Sequence, residues 1–169
     1  SASGSSQNFP PNNVVDKNFN TLWSIYGKGS WIELDLGSSK NICSVNIAWY
    51  KGDTRENNFD ISTSTDGSSY KNVLSTKSTG NTLSFDKYVI PNTLARYVKI
   101  VVNGNTQNDY ASITEAKIQT TTSNEPQQTQ CSTTAITGIK RSESQSGFPS
   151  TNIKDNNLDT RWSNNGKGS

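Results

Sequence analysis

The sequence predicts an all-β protein, an antiparallel β-sandwich of about eight strands, and three observations lead there. Apolar residues recur with a period of two, clusters of turn-forming residues separate the apolar runs, and no long window carries a 3.6-residue period. In chain order the alternating sets are Ile32, Leu34 and Leu36; Val45, Ile47 and Trp49; Phe59 and Ile61; and Val98, Ile100 and Val102, with Ile113 and Ile118 flanking the last strand. Such alternation turns one face of a strand toward a core and the other toward water. Between these sets lie DLGSSK, YKGDTREN, TDGSS, STGN and NGNTQND. Their Gly, Asn, Asp and Ser tolerate turn backbone or imitate turn hydrogen bonds.

Composition narrows the function. Asn contributes 21 residues and Ser plus Thr 44 of the 169, while charged residues are only 18%, so the surface is polar but weakly charged. Sixteen basic and 14 acidic residues, net +2, are scattered and create no field that would draw nucleic acid or an anionic membrane. No apolar run approaches the ~18–20 residues of a membrane span, and the opening SASGSSQNFPPNN has no signal-peptide pattern, as expected of a mature or excised piece. The chain has no His and no Met. That removes the commonest general base and metal ligand, and with them Ser-His-Asp, Cys-His and HExxH chemistry. Carboxylate chemistry, an oxygen site for a hard cation, and binding without catalysis remain.

Residues 1–30 align without gaps to residues 140–169, with identities that include Phe9/Phe148, Pro10/Pro149, Asp16/Asp155, Thr21/Thr160, Trp23/Trp162 and the whole GKGS tetrapeptide. A repeat of this kind marks a tandem array. The expected organisation is a first module over 1–121, a Thr/Gln/Pro-rich linker over 122–133 that cannot bury a core, and the opening of a second module over 134–169. That opening is too short to fold by itself, which leaves truncation, a disordered remainder, or completion by another chain. GKGS is not a phosphate loop, because the glycine such a loop needs five residues before Gly27 is Leu22. Cys43 opens the CSVNIAW strand and Cys131 sits at the end of the linker, just before ITGI. One repeat earlier the counterpart of Cys131 falls upstream of Ser1, so the partner of Cys43 stays open. Extracellular residence is the expectation, with buried thiols in a reducing compartment as the other reading.

The order NVVDKNFNTLW, WIELDLG, CSVNIAWYKGDTRENNFDISTSTDG, ARYVKI and ASITEAKI resembles the discoidin (factor V/VIII type C) superfamily across residues 1–119. AWYKGDTRENNFDI, SSYKNVLSTKSTGNTL and NGNTQNDYASITE look most like family 32 carbohydrate-binding modules attached to alginate lyases. The resemblance implies a galactose-binding-domain-like jelly roll with one structural calcium and a ligand site in the loops at one end. The loop residues Asp16, Asn18, Asn20 and Thr21 independently gather oxygen ligands suited to Ca²⁺. Glu115 matches the family's carboxylate on the last strand, so the expected metal ligands are Asp16, Asn18, Thr21 and Glu115. An Asx-rich turn without an ion is the alternative reading of the same loop.

For the ligand site, SIYGKGS (24–30), YKGDTREN (50–57) and NGNTQNDY (103–110) carry the candidates. Sugars are held by flat aromatic faces and by planar, multi-donor side chains. Arg55 offers a fork, Lys51 a point charge, Asp53 and Asn57 acceptors, Asn108 an amide, and Tyr26 and Tyr110 platforms. Arg55 stands where the family commonly places a ligand-binding arginine, while the family's usual site histidine has no counterpart. That departs from a simple galactose site, and the Lys51 and Arg55 pair suits uronate carboxylates. Read alone, Arg55 also fits a salt bridge to Asp53 or Glu56. Trp23, Trp31 and Trp49 read as core or loop anchors. The expected function is a non-catalytic, calcium-stabilised binder of a polysaccharide, with a uronate polymer such as alginate as the candidate ligand. The alternative is a structural or adhesive module of an extracellular assembly that self-associates through its incomplete second copy. Glu33 and Asp35 lie within WIELDLG, where the family uses them structurally, so an enzyme is not expected.

Overall fold

The computed structural model describes residues 1–121; the linker, the second-module opening and Cys131 lie outside the described residues. A short 3-10 turn, Pro11–Val15, precedes six strands: β1 (Trp23–Tyr26), β2 (Ser30–Trp49), β3 (Asn57–Ser64), β4 (Lys71–Lys77), β5 (Phe85–Asn105) and β6 (Tyr110–Thr120). All pair antiparallel in the order β1-β6-β2-β5-β3-β4.

Two very long strands convert this single ladder into two layers. The first part of β2, Ser30–Asp35, pairs with Tyr97–Val102 of β5, whose other edge carries β3 and then β4. Its second part, Ser44–Ala48, pairs with Phe85–Val89 of β5, and its other edge carries β6 and then β1. The six strands thus contain eight pairing segments, four to a layer. Phe59 of β3 lies 5.0 Å from the Trp49 ring and 4.7 Å from the Tyr88 ring, although β3 has no ladder partner in that half, so the layers meet face to face. Trp23, Ile32, Ile47, Trp49, Phe59, Ile61, Ile100 and Ile113 fill the space between them. The Trp49 indole N–H donates to the Tyr88 hydroxyl at 3.0 Å, and that hydroxyl donates to Asp86, also at 3.0 Å, so the polar atoms of these two core aromatics are partnered.

The DLGSSK segment differs from expectation. It does not separate two strands; it is a register shift inside β2, between Asp35 and Lys40. Gly37, at φ 75°, supplies left-handed backbone there, and its N–H donates to Asp35 Oδ1 at 2.8 Å. Arg96 lies across from this shift, with Nε and Nη2 donating to the two Asp35 oxygens at 2.8 and 2.9 Å. A second register shift, between Ile42 and Ser44, faces the stretch of β5 where Pro91 removes a ladder donor. Strand β4 and the first part of β5 carry little alternating signal: β4 is an edge strand with only Val73 and Leu74 half-buried. Ile113 and Ile118 lie within β6 and do not flank it.

The Arg96 hydrogen bonds hold the Asp35 carboxyl down at about 2, below its ordinary 3.8. A depressed carboxylate stabilises the fold above its unfolded value and loses that contribution as pH falls through its folded value. In urea unfolding carried out between pH 3.8 and about 2, the wild type should therefore lose stability more steeply than Asp35→Asn. Parallel curves would show that the clamp contributes nothing.

Candidate binding site

The three predicted loops meet at one end of the sandwich, joined largely by backbone hydrogen bonds. Gly27 N–H donates to Asp109 O at 3.1 Å, Thr106 N–H to Glu56 O at 3.0 Å, and the Gln107 side chain to Thr54 O at 3.3 Å. Between them opens a cleft of about 370 Å³ lined by Ser6, Phe9, Leu22, Tyr50, Lys51, Arg55, Gln107, Asn108 and Tyr110, with Ser24 and Ser112 also lining it. The Ser24 and Ser112 hydroxyls are 2.9 Å apart and spend hydrogen-bonding capacity on each other.

Arg55 dominates this cleft. The residue is only 5% exposed. Its Nε donates to Tyr50 O at 3.2 Å, and its guanidinium carbon sits 5.1 Å from the Tyr50 ring centroid. Its buried Nη2 has no hydrogen-bond partner among the described residues. Burial lowers its pKa from the ordinary guanidinium value. No salt bridge forms to Asp53 or Glu56; Glu56 instead pairs with Lys77 at 2.7 Å. A buried cation with an unused donor, lining an open cleft, is arranged to receive an anionic or strongly accepting ligand.

Lys51 stands at the rim beside it, 5.7 Å from the Tyr50 ring, and has no ion pair among the described residues. Its backbone is left-handed at φ 53°. The following Gly52 packs so closely that a Cβ there would lie 2.5 Å from Thr82 O, so the chain path that projects Lys51 depends on glycine. Tyr110 lines the cleft and Tyr26, 64% exposed, meets it edge to face at 5.1 Å. Asn108 lines the cleft too, but its Oδ1 accepts from Tyr110 N–H and the Asn105 amide, which leaves its Nδ2 donors for a ligand.

The other predicted residues fall elsewhere. Asp53 lines a neighbouring cleft and not this one. Asn57 is buried as the first residue of β3, with its backbone and amide N–H groups directed at the Ser78 hydroxyl. Phe9, Tyr50 and Gln107 line the cleft without having been singled out. Phe9 lies far away in sequence, and the Tyr50 ring shows its role only once Arg55 packs against it.

The loop after the 3-10 turn forms a second polar cluster. Thr21 Oγ1 donates to Asp16 Oδ2 at 2.7 Å, and the Asn18 N–H lies 2.8 Å from Asp16 Oδ1 and 3.2 Å from Glu115 Oε1, so the two carboxylates converge on one point. Glu115, 1% exposed, has its pKa raised by burial and by its hydrogen bond with Asp16, whose own pKa is lowered, chiefly by Thr21. No cationic side chain forms a salt bridge with either among the described residues. Two facing carboxylates with an amide oxygen and loop carbonyls nearby fit a hard cation. The cluster offers two carboxylates; no group of three or more His, Cys, Asp or Glu is found among the described residues.

Known proteins with this architecture can now be set beside it. The F5/8 type C domain profile matches residues 1–116. Among solved structures, the chain is similar to the CBM32 (family 32 carbohydrate-binding module) of AlyQ in complex with 4,5-unsaturated mannuronic acid, at 41% identity and TM-score 0.69, covering 70% of this chain and 92% of that one. A truncated AlyQ with CBM32 and alginate lyase domains matches at 42% identity and TM-score 0.68, over 70% of this chain and 30% of that one. A pectin-binding carbohydrate-binding module matches at 25% identity and TM-score 0.68, over 75% of this chain and 91% of that one. No curated protein sequence matches. The sandwich and its loop-end cleft define a discoidin-type domain, and the chain belongs to the F5/8 type C family. Within that family it is a family 32 carbohydrate-binding module, a binder of glycans and not a catalyst.

Proposed function

We propose that this module binds a uronate-containing polysaccharide, with Arg55 receiving a sugar carboxylate at the centre of the cleft. One observation carries the reading: a buried guanidinium with an unused Nη2 lines a pocket that holds no carboxylate among the described residues and whose other charged side chain is Lys51, itself without an ion pair among them. In a desolvated site the Arg fork forms charge-assisted hydrogen bonds to carboxylate that water competes for poorly. Lys51 adds a point charge at the rim, Asn108 Nδ2 and Gln107 read hydroxyls, and Tyr110 with Tyr26 offers ring faces to sugar C–H groups. The similarity to the AlyQ module, whose structure holds 4,5-unsaturated mannuronic acid, supports the acidic choice. A polymer ligand and a polar, weakly charged surface suit an extracellular protein.

Calcium completes the proposal. Asp16, Asn18, Thr21 and Glu115 would hold the ion, pinning the loop before β1 to β6 and offsetting the cost of holding the buried Glu115 carboxylate beside that of Asp16. The sequence repeat further suggests that several modules act on one polymer, since a linker of about 11 flexible residues spans roughly 17–20 Å and raises the effective concentration of a second site.

Affinity electrophoresis through alginate, pectin, galactan and chitosan gels tests the ligand class. Arg55→Ala and the charge-preserving Arg55→Lys should both weaken retention on the acidic polymer by about tenfold or more, because a charge-assisted hydrogen bond contributes about 1.5–3 kcal/mol. Unchanged retention would remove Arg55 from the site. Calcium at about a hundredfold excess over its Kd should stabilise the module by about 2.7 kcal/mol in thermal melts, and EDTA should reverse it. Glu115→Gln should abolish that response; a calcium response that survives the substitution would place the ion elsewhere.

A further inference from the structure

We propose that the sugar-binding surface continues past Tyr50 and Lys51 into a second cleft, which takes the adjoining residue of the same acidic polysaccharide chain. The inference rests on the reading of the first cleft as the glycan site and says how much of the polymer the module covers.

The second cleft, of about 630 Å³, is lined by Phe19, Asn20, Tyr50, Lys51, Asp53 and Leu83, with Trp49, Thr54 and Thr114 behind them. Tyr50 and Lys51 belong to both clefts, so they form a shared ridge and not a boundary between unrelated sites. Each cleft is of the size that holds a small ligand, in the range of about 300–1,000 Å³. The apolar side chains here are open to solvent: Phe19 is 47% exposed, Leu83 57% and Tyr50 39%. Phe19 is held in place from below by Phe85, edge to face at 5.3 Å, with Lys117 Nζ 4.4 Å from the Phe85 ring. A braced, exposed ring beside exposed leucine suits the C–H face of a pyranose, where the contact is large and little side-chain entropy is lost on binding.

The polar groups match one sugar residue and not a protein strand or a lipid. Asp53 makes no salt bridge among the described residues, and it and Asn20 supply acceptors for hydroxyls. Among the described residues the cation lining the cleft is Lys51, on the ridge. A carboxylate on the second residue would turn toward Lys51 and away from Asp53. Arg55 and Lys51 would then meet carboxylates of consecutive residues, with the Tyr50 ring between them.

The test is isothermal titration with a uronate monosaccharide and purified uronate oligosaccharides of increasing length, up to the tetrasaccharide. Wild-type affinity should rise about tenfold between the monosaccharide and the disaccharide, the size of one added aromatic contact. Leu83→Ser and Phe19→Ala should each remove most of that gain and leave monosaccharide affinity unchanged. Leu83 is exposed and outside the calcium loop, so its variant answers the question even where Phe19→Ala disturbs the loop. A length gain that persists in Leu83→Ser, or affinity that does not depend on length in the wild type, would overturn the second cleft and leave the first intact. Absence of binding at every length would overturn both.

Discussion

The ribbon of β2 and β5 runs through both layers of the sandwich, and the other four strands take their places along it. A ladder twists with a fixed hand and cannot fold over itself without an irregularity, so both long strands must bend near their middle. The left-handed Gly37, the loss of a donor at Pro91 and the two hydrogen bonds from Arg96 to Asp35 together supply that bend. Past it, the second parts of β2 and β5 lie over β3, and Phe59 wedges between Trp49 and Tyr88. The loop end inherits its geometry from this. The β2–β3 connection carries Tyr50 to Glu56, the β5–β6 connection carries Thr106 to Asp109, and both leave strands whose registers are already set.

On that rigid end the main energetic conflict is the buried Arg55. Removing a guanidinium from water is costly unless its donors are used, and among the described residues Nε finds Tyr50 O while Nη2 finds nothing. The ring of Tyr50 returns part of the cost through its π face. An incompletely satisfied cation held by packing is pre-organised: a ligand carboxylate would meet donors that neither move nor shed much water. The Asp16 and Glu115 pair shows the same logic with the opposite sign, two carboxylates held together with no salt bridge to a cationic side chain among the described residues. On the proposed reading an anion site and a cation site would lie at separate points of one scaffold, each stabilised by what it binds.

Much of this was legible in the sequence because burial imposes alternation. Ile32, Val45, Ile47, Phe59, Ile61, Val98, Ile100 and Val102 all proved to be core, and the loops that carry Tyr26, Lys51, Arg55, Asn108 and Tyr110 do converge. Edge strands escaped notice: KNVLSTK buries too little to alternate, and the clamp at Asp35 looked like a turn because Asp and Gly serve bulges and turns alike. Asn57 illustrates another limit. Its neighbours are loop residues, and only pairing with Asn105 reveals that β3 has already begun there. Nor does spacing disclose that Phe9, more than 40 residues from Arg55, shares its cleft, or that Tyr50 is wall to two clefts.

The central claim is that Arg55 recognises a sugar carboxylate, and chemical change on the ligand tests it with the protein left intact. Calorimetric titration of a uronate tetrasaccharide should be compared with its carboxyl-reduced counterpart, which keeps ring, linkage and hydroxyls but loses the charge. The account predicts that reduction weakens binding by about tenfold or more, the loss of a charge-assisted hydrogen bond in a desolvated site. Equal affinity for the two ligands would contradict it and make the cleft a reader of hydroxyls alone.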